Sequence, residues 1–519
     1  MGIWTNYKNS NHVSRFKTWI SWSQLSLKSY QVAAIPWIHS CESGAESPGG
    51  IFADEMGLGK TIVILGRIFT APVDKTLIIV PFSLLAQWEA AVEKYILGIN
   101  YRWLRRSEFA VYHNKRGNLE DKRLVLTTYG TVVSRLDAFQ KIEWNRVVYD
   151  EAHHLRNRGT RLFKSVRSLK VDIQWFMTGT PIQNKRADFY ALCYLLGMPD
   201  VQEVLSSRFL RRSKASVGLK LPPLREHLQR IPWKSEDEDA LSGSIHATFM
   251  GSKSSQITSR LQRIPIVILT RARQMCVYPD LVVQAAKNSP LEGVEDMDPK
   301  WDILTTSKLD AVSTTLVGRK NNGRRKLVFC YYRREIDELA TRLRREGLSV
   351  GIIDGRASSS KRKSLLDPLL PKVWWNQLFP QVHTTAVPIY EQVMNFIKTD
   401  VLLVQIQTAC EGLNLQDFTE VYFTSPPWNP AVEDQAIARS HRLGQTQKVD
   451  VFRFIMDIPT DSHVVMDQYC TFVQDKKREI ARKFLGLPTS HEASSYDVSS
   501  GGGGSVSSSI SNENRLVIS

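Results

Sequence analysis

Two series of short apolar runs divide the chain. In the first half "TLIIVPF", "RLVLTTY", "RVVYDEAHH" and "IQWFMTGTP" each end in polar or small residues, with helix-like stretches between them. In the second half "RKLVFCYY", "LSVGIIDG", "TDVLLVQIQ", "EVYFTSPP" and "KVDVFRFIM" repeat the rhythm. Runs apolar throughout, bounded by turn residues and separated by helical patterns, suit parallel strands buried on both faces. At 519 residues the chain exceeds one hydrophobic core, and two α/β halves of about 200 residues each fit ordinary domain sizes. The expected fold is α/β, with two similar halves built on parallel sheets. Functional groups are then expected just past the C-terminal ends of the strands.

The spacing places an N-terminal extension over 1–24 and a first lobe over 25–205. Between 206 and 306 the rhythm gives way to charged sequence such as "WKSEDEDALSGSIHATFMGSKSSQITSRLQRI", read as a helical insert or linker. The second lobe follows over 307–488, with a Pro- and aromatic-rich insertion at 368–400. The remainder, 489–519, is rich in Ser and Gly and is expected to be a flexible tail without chemistry.

Lys and Arg number 68 against 52 Asp and Glu, a formal charge of +16, which suits either a polyanionic partner or a merely basic surface. The six cysteines stand singly, with no C-x-x-C pair, which argues against a zinc finger or disulfide framework and for a reducing compartment. No apolar run approaches about 18 residues, and the N-terminus has no apolar signal core. A soluble intracellular protein with no membrane partner is expected.

The stretch "GGIFADEMGLGKTIVILGRIF" sets an apolar pair before a Gly-containing turn, then Lys60-Thr61 and a helix-like run. In a P-loop, such glycines let backbone N–H groups face phosphate oxygens at a helix N-terminus. The Lys bridges β- and γ-phosphates and the hydroxyl holds Mg²⁺. Gly57, Gly59, Lys60 and Thr61 suit those roles. The general G-x-x-x-x-G-K-[ST] pattern has glycine where this chain has Asp54, so the motif needs a partner carboxylate to be told from a coincidental turn.

"VVYDEAHHLRN" supplies that partner. Taken alone, Asp150, Glu151, His153 and His154 each suit a ligand, a base or a solvated surface group. Downstream of a P-loop, an apolar strand ending in two acids makes Asp150 the Mg²⁺ partner and Glu151 the candidate base. A zinc-dependent hydrolase fares worse, because adjacent histidines diverge, no H-E-x-x-H spacing exists and no cysteine lies nearby.

With both motifs in place, the chain resembles superfamily II helicase-like ATPases, and more closely the Swi/Snf family of double-stranded DNA translocases and chromatin remodellers, over residues 25–455. "LKSYQ" is similar to the family's adenine-side Gln motif and implies Gln31. "DEMGLGKT" looks like the family's P-loop variant, which accounts for Asp54 and assigns Asp54, Glu55, Met56, Gly57, Leu58, Gly59, Lys60 and Thr61 to nucleotide binding. "VPFSLLAQW" and "LTTYGT" look like first-lobe DNA-tracking motifs, the latter with Thr127 and Thr128. "DEAHHLRN" resembles the Mg²⁺ and hydrolysis motif, with His153 against the interlobe motifs, and "MTGTPIQN" the coupling motif, with Thr178, Gly179 and Thr180.

"FLRRSK", "LPPLRE" and "LTRARQMCVYPDL" resemble Swi/Snf segments absent from ordinary helicases. "KLVFCYY", "IIDGR", "EGLNLQ" and "WNPAVEDQAIARSHRLGQ" keep the family's order and add Gly412, Asn414 and Gln435 to the coupling and DNA residues. Arg439 and Arg442 stand three apart on an expected helix, hence on one face, and the block implies an arginine-finger role. Ala409-Cys410 stand where many members have Gly-Gly, and Ser425 where many have Asp. These departures touch the DNA side, leave the nucleotide residues intact, and suit a divergent or virus-encoded member.

The resemblance implies a fold of two RecA-like P-loop lobes with parallel sheets, and ATP and Mg²⁺ as cofactors. It implies double-stranded DNA as partner, with nucleosomes or other DNA-bound proteins beyond it and no zinc. The implied activity is translocation on duplex DNA that remodels protein–DNA complexes or acts on repair or transcription intermediates. The place implied is the nucleus, or a host nucleus or viral replication site for a viral member. A strand-separating DNA or RNA helicase and a non-catalytic DNA-binding scaffold are the alternatives.

Overall fold

The computed structural model describes residues 11–43, 47–99, 104–113, 118–247, 266–288, 305–356, 399–409, 415–456 and 465–485. The Ser/Gly-rich tail, nearly all of the 368–400 insertion, Gly412 and Asn414 lie outside the described residues.

Two parallel sheets form. The first has seven strands in the order β3-β4-β2-β5-β6-β1-β7. They are β1 (Gly49–Phe52), β2 (Thr76–Val80), β3 (Phe109–Tyr112), β4 (Leu124–Thr128), β5 (Glu143–Tyr149), β6 (Lys170–Met177) and β7 (Phe209–Leu210). The second has six, in the order β10-β11-β9-β12-β13-β8. These are β8 (Leu224–Ile231), β9 (Arg325–Cys330), β10 (Val350–Ile353), β11 (Val401–Gln405), β12 (Phe418–Phe423) and β13 (Val449–Met456).

Alternate residues of each run serve opposite faces, which explains why the runs are apolar throughout. On β2, Leu77 and Ile79 join one core, with Val147, Tyr149 and Phe176, while Ile78 and Val80 join the other, with Val148, Trp175 and Met177. The second lobe divides in the same way, with Val328 and Cys330 on one face and Leu327 and Phe329 on the other. The N-terminal extension contains a helix, His12–Trp22, whose Phe16, Trp19 and Ile20 complete a first-lobe core. That helix packs so closely on Lys60–Thr70 that a Cβ at Gly66 would lie 2.3 Å from the Phe16 ring.

The segment expected to be a helical insert starts instead with strands. β7 extends the first sheet beside β1, and β8 pairs with β13 at the edge of the second. The sequence hid them because β7 has only two residues and β8, with seven of its eight residues outside the core, carries no apolar alternation. Helices Glu236–Ala247 and Ile266–Val277 do follow, and their Leu241, Ile245, Ala272 and Met275 pack into the second lobe. The long helix Met466–Leu485 starts in that same core with Met466, Tyr469 and Cys470. It ends against the first lobe, where the Phe484 ring lies 5.5 Å from Phe189. None of the described helices is long and apolar enough to cross a membrane.

Candidate active site

β1 ends at Phe52, and the turn after it leads into the Lys60–Thr70 helix. Gly57 and Gly59 adopt φ of +90° and +79°, a left-handed backbone that glycine takes at least cost. At Gly59 a side chain is excluded as well, since its Cβ would lie 2.6 Å from Gln31 Nε2. The turn delivers Lys60 to the helix N-terminus, where its Nζ donates to the Asp54 carbonyl at 2.6 Å. Burial lowers the Lys60 pKa, against the pull of Glu151, Asp150 and Asp54. A sheltered ammonium at the positive end of a helix dipole suits an anion.

β5 delivers the acids. The Asp150 N–H still bonds in the ladder to the Ile79 carbonyl at 2.9 Å. Its carboxylate accepts the Trp88 indole N–H at 2.7 Å on Oδ2 and the Glu151 N–H at 2.9 Å on Oδ1. Glu151 then turns into the left-handed region at φ +47°, which is unusual for a residue with a side chain. Such strain costs about 1–3 kcal/mol and clusters at functional sites. Glu151 Oε2 lies 3.2 Å from His153 Nδ1 without hydrogen-bond alignment, and both atoms are buried. Burial, then the neighbouring Glu151 charge, pushes the Asp150 carboxyl up. Burial works the same way on Glu151, but His153, Lys60 and Arg439 outweigh it and hold that carboxyl low.

These groups face a cleft of about 460 Å³. Met56, Gly57, Gly59, Lys60, Thr61, Trp88, Asp150 and Glu151 line it from the first lobe, and Arg439 and Arg442 from the second. Arg439 comes from helix Pro430–Ser440, but that helix stops at its His441 cap, so Arg442 stands on the turn after it and the two do not share a helix face as expected; the turn brings them to the same cleft. Burial, with Arg439 alongside, lowers the Arg442 pKa. The cleft therefore opposes buried acids and an ammonium on one side to two guanidiniums on the other.

Four residues read as nucleotide contacts stand off this lining. Gln31 donates its amide to the Leu58 carbonyl at 3.1 Å, behind the loop, and Leu58 is itself buried. The Asp54 carboxylate is taken by Arg212, whose Nε and backbone N–H each donate at 3.0 Å. Glu55 is held by Lys214. Of the coupling residues, Thr178 bonds back to Phe52 on β1 at 3.2 Å, and its hydroxyl accepts the Thr180 N–H at 3.1 Å. Gly179 abuts the loop so tightly that a Cβ would meet Met56 at 2.5 Å.

Thr127 donates to the Tyr112 carbonyl inside the sheet. Thr128 caps helix Tyr129–Ser134 and lines a separate pocket with Phe82, His113 and His154. His153 and His154 stack on each other at 4.7 Å, which does not converge them on a metal. Gln435 is buried on the arginine helix.

Three contributions escaped the sequence reading. Trp88, placed among DNA-tracking residues by its motif, binds Asp150 instead; a buried indole needs a partner for its N–H, and that was the available signal. Gln183 Oε1 accepts from Arg156 at 2.7 Å and from Asn429 of the second lobe at 3.2 Å, which bridges the lobes. Arg211, Arg212 and Lys214 grip the phosphate loop from a distant segment.

The family model of the SNF2-related domain matches residues 30–204, and that of the helicase conserved C-terminal domain matches 390–444. The probable global transactivator of Orgyia pseudotsugata multicapsid polyhedrosis virus is 26% identical, over 88% of this chain and 91% of the relative. The DNA repair protein RAD5 of Candida albicans is 23% identical, over 83% of this chain and 56% of its own length. In Mus musculus, the SWI/SNF-related matrix-associated actin-dependent regulator of chromatin subfamily A member 1 is 26% identical, over 88% and 44%. The chain thus spans about half the length of these two cellular relatives. With the phosphate loop and acid pair inside the first matched domain and the two arginines inside the second, the chain carries an SNF2-related domain followed by a helicase C-terminal domain, the pairing of the helicase-like SNF2 ATPases it resembles.

Proposed function

We propose that this chain hydrolyses ATP in response to double-stranded DNA and moves along it, remodelling protein–DNA complexes or acting on repair or transcription intermediates. One observation carries the reading: a single cleft opposes Lys60, Asp150 and Glu151 of one sheet to Arg439 and Arg442 of the other. A half-buried Lys60 and two left-handed glycines at a helix N-terminus fit a polyphosphate. Thr61 and Asp150 would hold Mg²⁺, which when bound screens phosphate charge. Glu151, with a buried oxygen that makes no hydrogen bond, accepts the proton of the attacking water. Arg439 and Arg442 offset charge on the transferred phosphoryl group.

Because the site is split between two sheets, its closing and opening moves one sheet against the other. Thr178 beside β1 and the Gln183–Asn429 bridge are placed to carry that motion. The charge of +16 supports a polyanionic track read through its phosphates. The names of the cellular relatives, a DNA repair protein and a regulator of chromatin, support DNA as that track and the nucleus as the place of action.

The test is ATP hydrolysis alone and with duplex DNA, single-stranded DNA or RNA, beside a strand-displacement assay. Duplex DNA is expected to stimulate most, with little strand separation. Strongest stimulation by RNA would replace the reading with an RNA helicase, and DNA binding without hydrolysis would leave a scaffold.

A further inference from the structure

We infer that Lys214 is a positioning residue that sets the second-lobe arginines against the phosphate loop. The inference rests on the ATP-site reading above. Arg211–Lys214 follows β7 on the way to the second lobe, and its three basic residues each grip the loop. Arg211 Nη1 donates to the carbonyls of Ala53 at 3.2 Å and Gly179 at 3.0 Å, and Arg212 takes the Asp54 carboxylate. Lys214 donates its backbone N–H to Glu55 Oε2 at 2.8 Å, and its Nζ lies 3.2 Å from Glu55 Oε1.

The same ammonium donates to the His441 carbonyl of the second lobe at 3.3 Å. His441 is the C-cap of helix Pro430–Ser440 and lies between Arg439 and Arg442 in the chain. A cation is favoured there because the last carbonyls of a helix lack intrahelical partners. The His441 ring meets the Pro222 carbonyl at 2.8 Å, so the connecting segment holds this turn at a second point. Gly57 completes the junction, since a Cβ there would touch Arg442 Cβ at 3.5 Å and Lys214 Cε at 3.6 Å. Phosphate loop, connector and arginine turn thus meet at Lys214, which is only 14% exposed. A charge that bridges two bodies in so sheltered a place is coupled more tightly than a surface pair.

The variant Lys214→Met keeps the length of the side chain and removes its charge. In the full chain with duplex DNA, kcat is expected to fall about tenfold while KM for ATP stays within about threefold, with Lys214→Arg recovering most of the loss. Spin labels at the exposed positions Lys141 and Glu346 supply a readout besides turnover. With ADP–beryllium fluoride, the parent should show one narrow interlobe distance and Lys214→Met a broad one. Glu55→Gln, which loosens the loop end of the same tether, should give the same pair of changes if Lys214→Met does not fold. Unchanged kcat and distance, with Lys60→Ala inactive, would overturn the inference alone. A loss confined to thermal stability would overturn it too. Hydrolysis that survives Lys60→Ala would overturn the ATP-site reading beneath it.

Discussion

The first lobe buries carboxylates at two places on the same framework, and it treats them in opposite ways. The helix that presents Lys60 at its N-terminus carries Arg67 two turns on, roughly 10 Å away at 1.5 Å per residue. The strand that delivers Asp150 carries Arg146, and the strand before Thr178 carries Trp175. Between Arg67, Arg146 and Trp175 lies Glu42. It accepts two hydrogen bonds from Arg67 at 2.8 and 2.9 Å, two from Arg146 at 2.9 and 3.0 Å, and the Trp175 indole N–H at 2.8 Å. Burial would raise its pKa, but the two guanidiniums outweigh burial and hold it below the usual carboxylate range. Glu151, by contrast, sits on a left-handed backbone with a buried oxygen that makes no hydrogen bond, beside an Asp150 pushed up by burial. A buried charge with every lone pair answered holds a fold together, whereas one left short of partners is open to chemistry.

The hardest test of this contrast falls on the under-satisfied end. Lys60→Ala and Glu151→Gln should each cut ATP turnover by about a thousandfold or more, the order by which a single charged group acts in phosphoryl transfer. Glu151→Gln should still bind nucleotide in equilibrium titrations, and neither should lower the thermal midpoint by much. Next comes the fully satisfied end. Glu42→Ala leaves two buried guanidiniums facing each other and should cost about 3–5 kcal/mol by denaturant titration, with kcat per folded molecule preserved. Because the folded pKa of Glu42 is depressed, its stabilisation is present at neutral pH. It is lost as pH falls from about 4.3, the unperturbed value, through the lower folded one. The smallest effect is expected at the link between the classes. Trp88→Phe removes the N–H on Asp150, keeps an aromatic ring, and should raise the Mg²⁺ concentration needed for half-maximal turnover by about tenfold.

What could be read in advance follows from chain geometry. Lys60, Thr61, Asp150 and Glu151 stand where an apolar run ends or a helix begins, so one-dimensional pattern exposes them; Arg439 and Arg442 were found through their sequence block, while the helical spacing read into them fails because the helix stops at Ser440. Asp54 was visible as a departure from the general motif, and Arg212 stood in the quoted "FLRRSK", but nothing local pairs two residues 158 positions apart. Trp88 illustrates the same limit, since what it holds is decided by how a helix after β2 faces the end of β5. β8 escaped because an edge strand with an open side needs no apolar face. Helix His12–Trp22 looked peripheral although Phe16 and Trp19 close a core over Gly66.

The helix Met466–Leu485 bears on mechanics. Its 20 residues make a stiff rod about 30 Å long, rooted in the second lobe at Met466 and pinned to the first beside Phe189 at Phe484. Two bodies joined by a connector at one place and a rigid rod at another lose most of their freedom to drift apart. The Gln183–Asn429 hydrogen bond is a third attachment, so the cleft opens only as at least one of the three gives way.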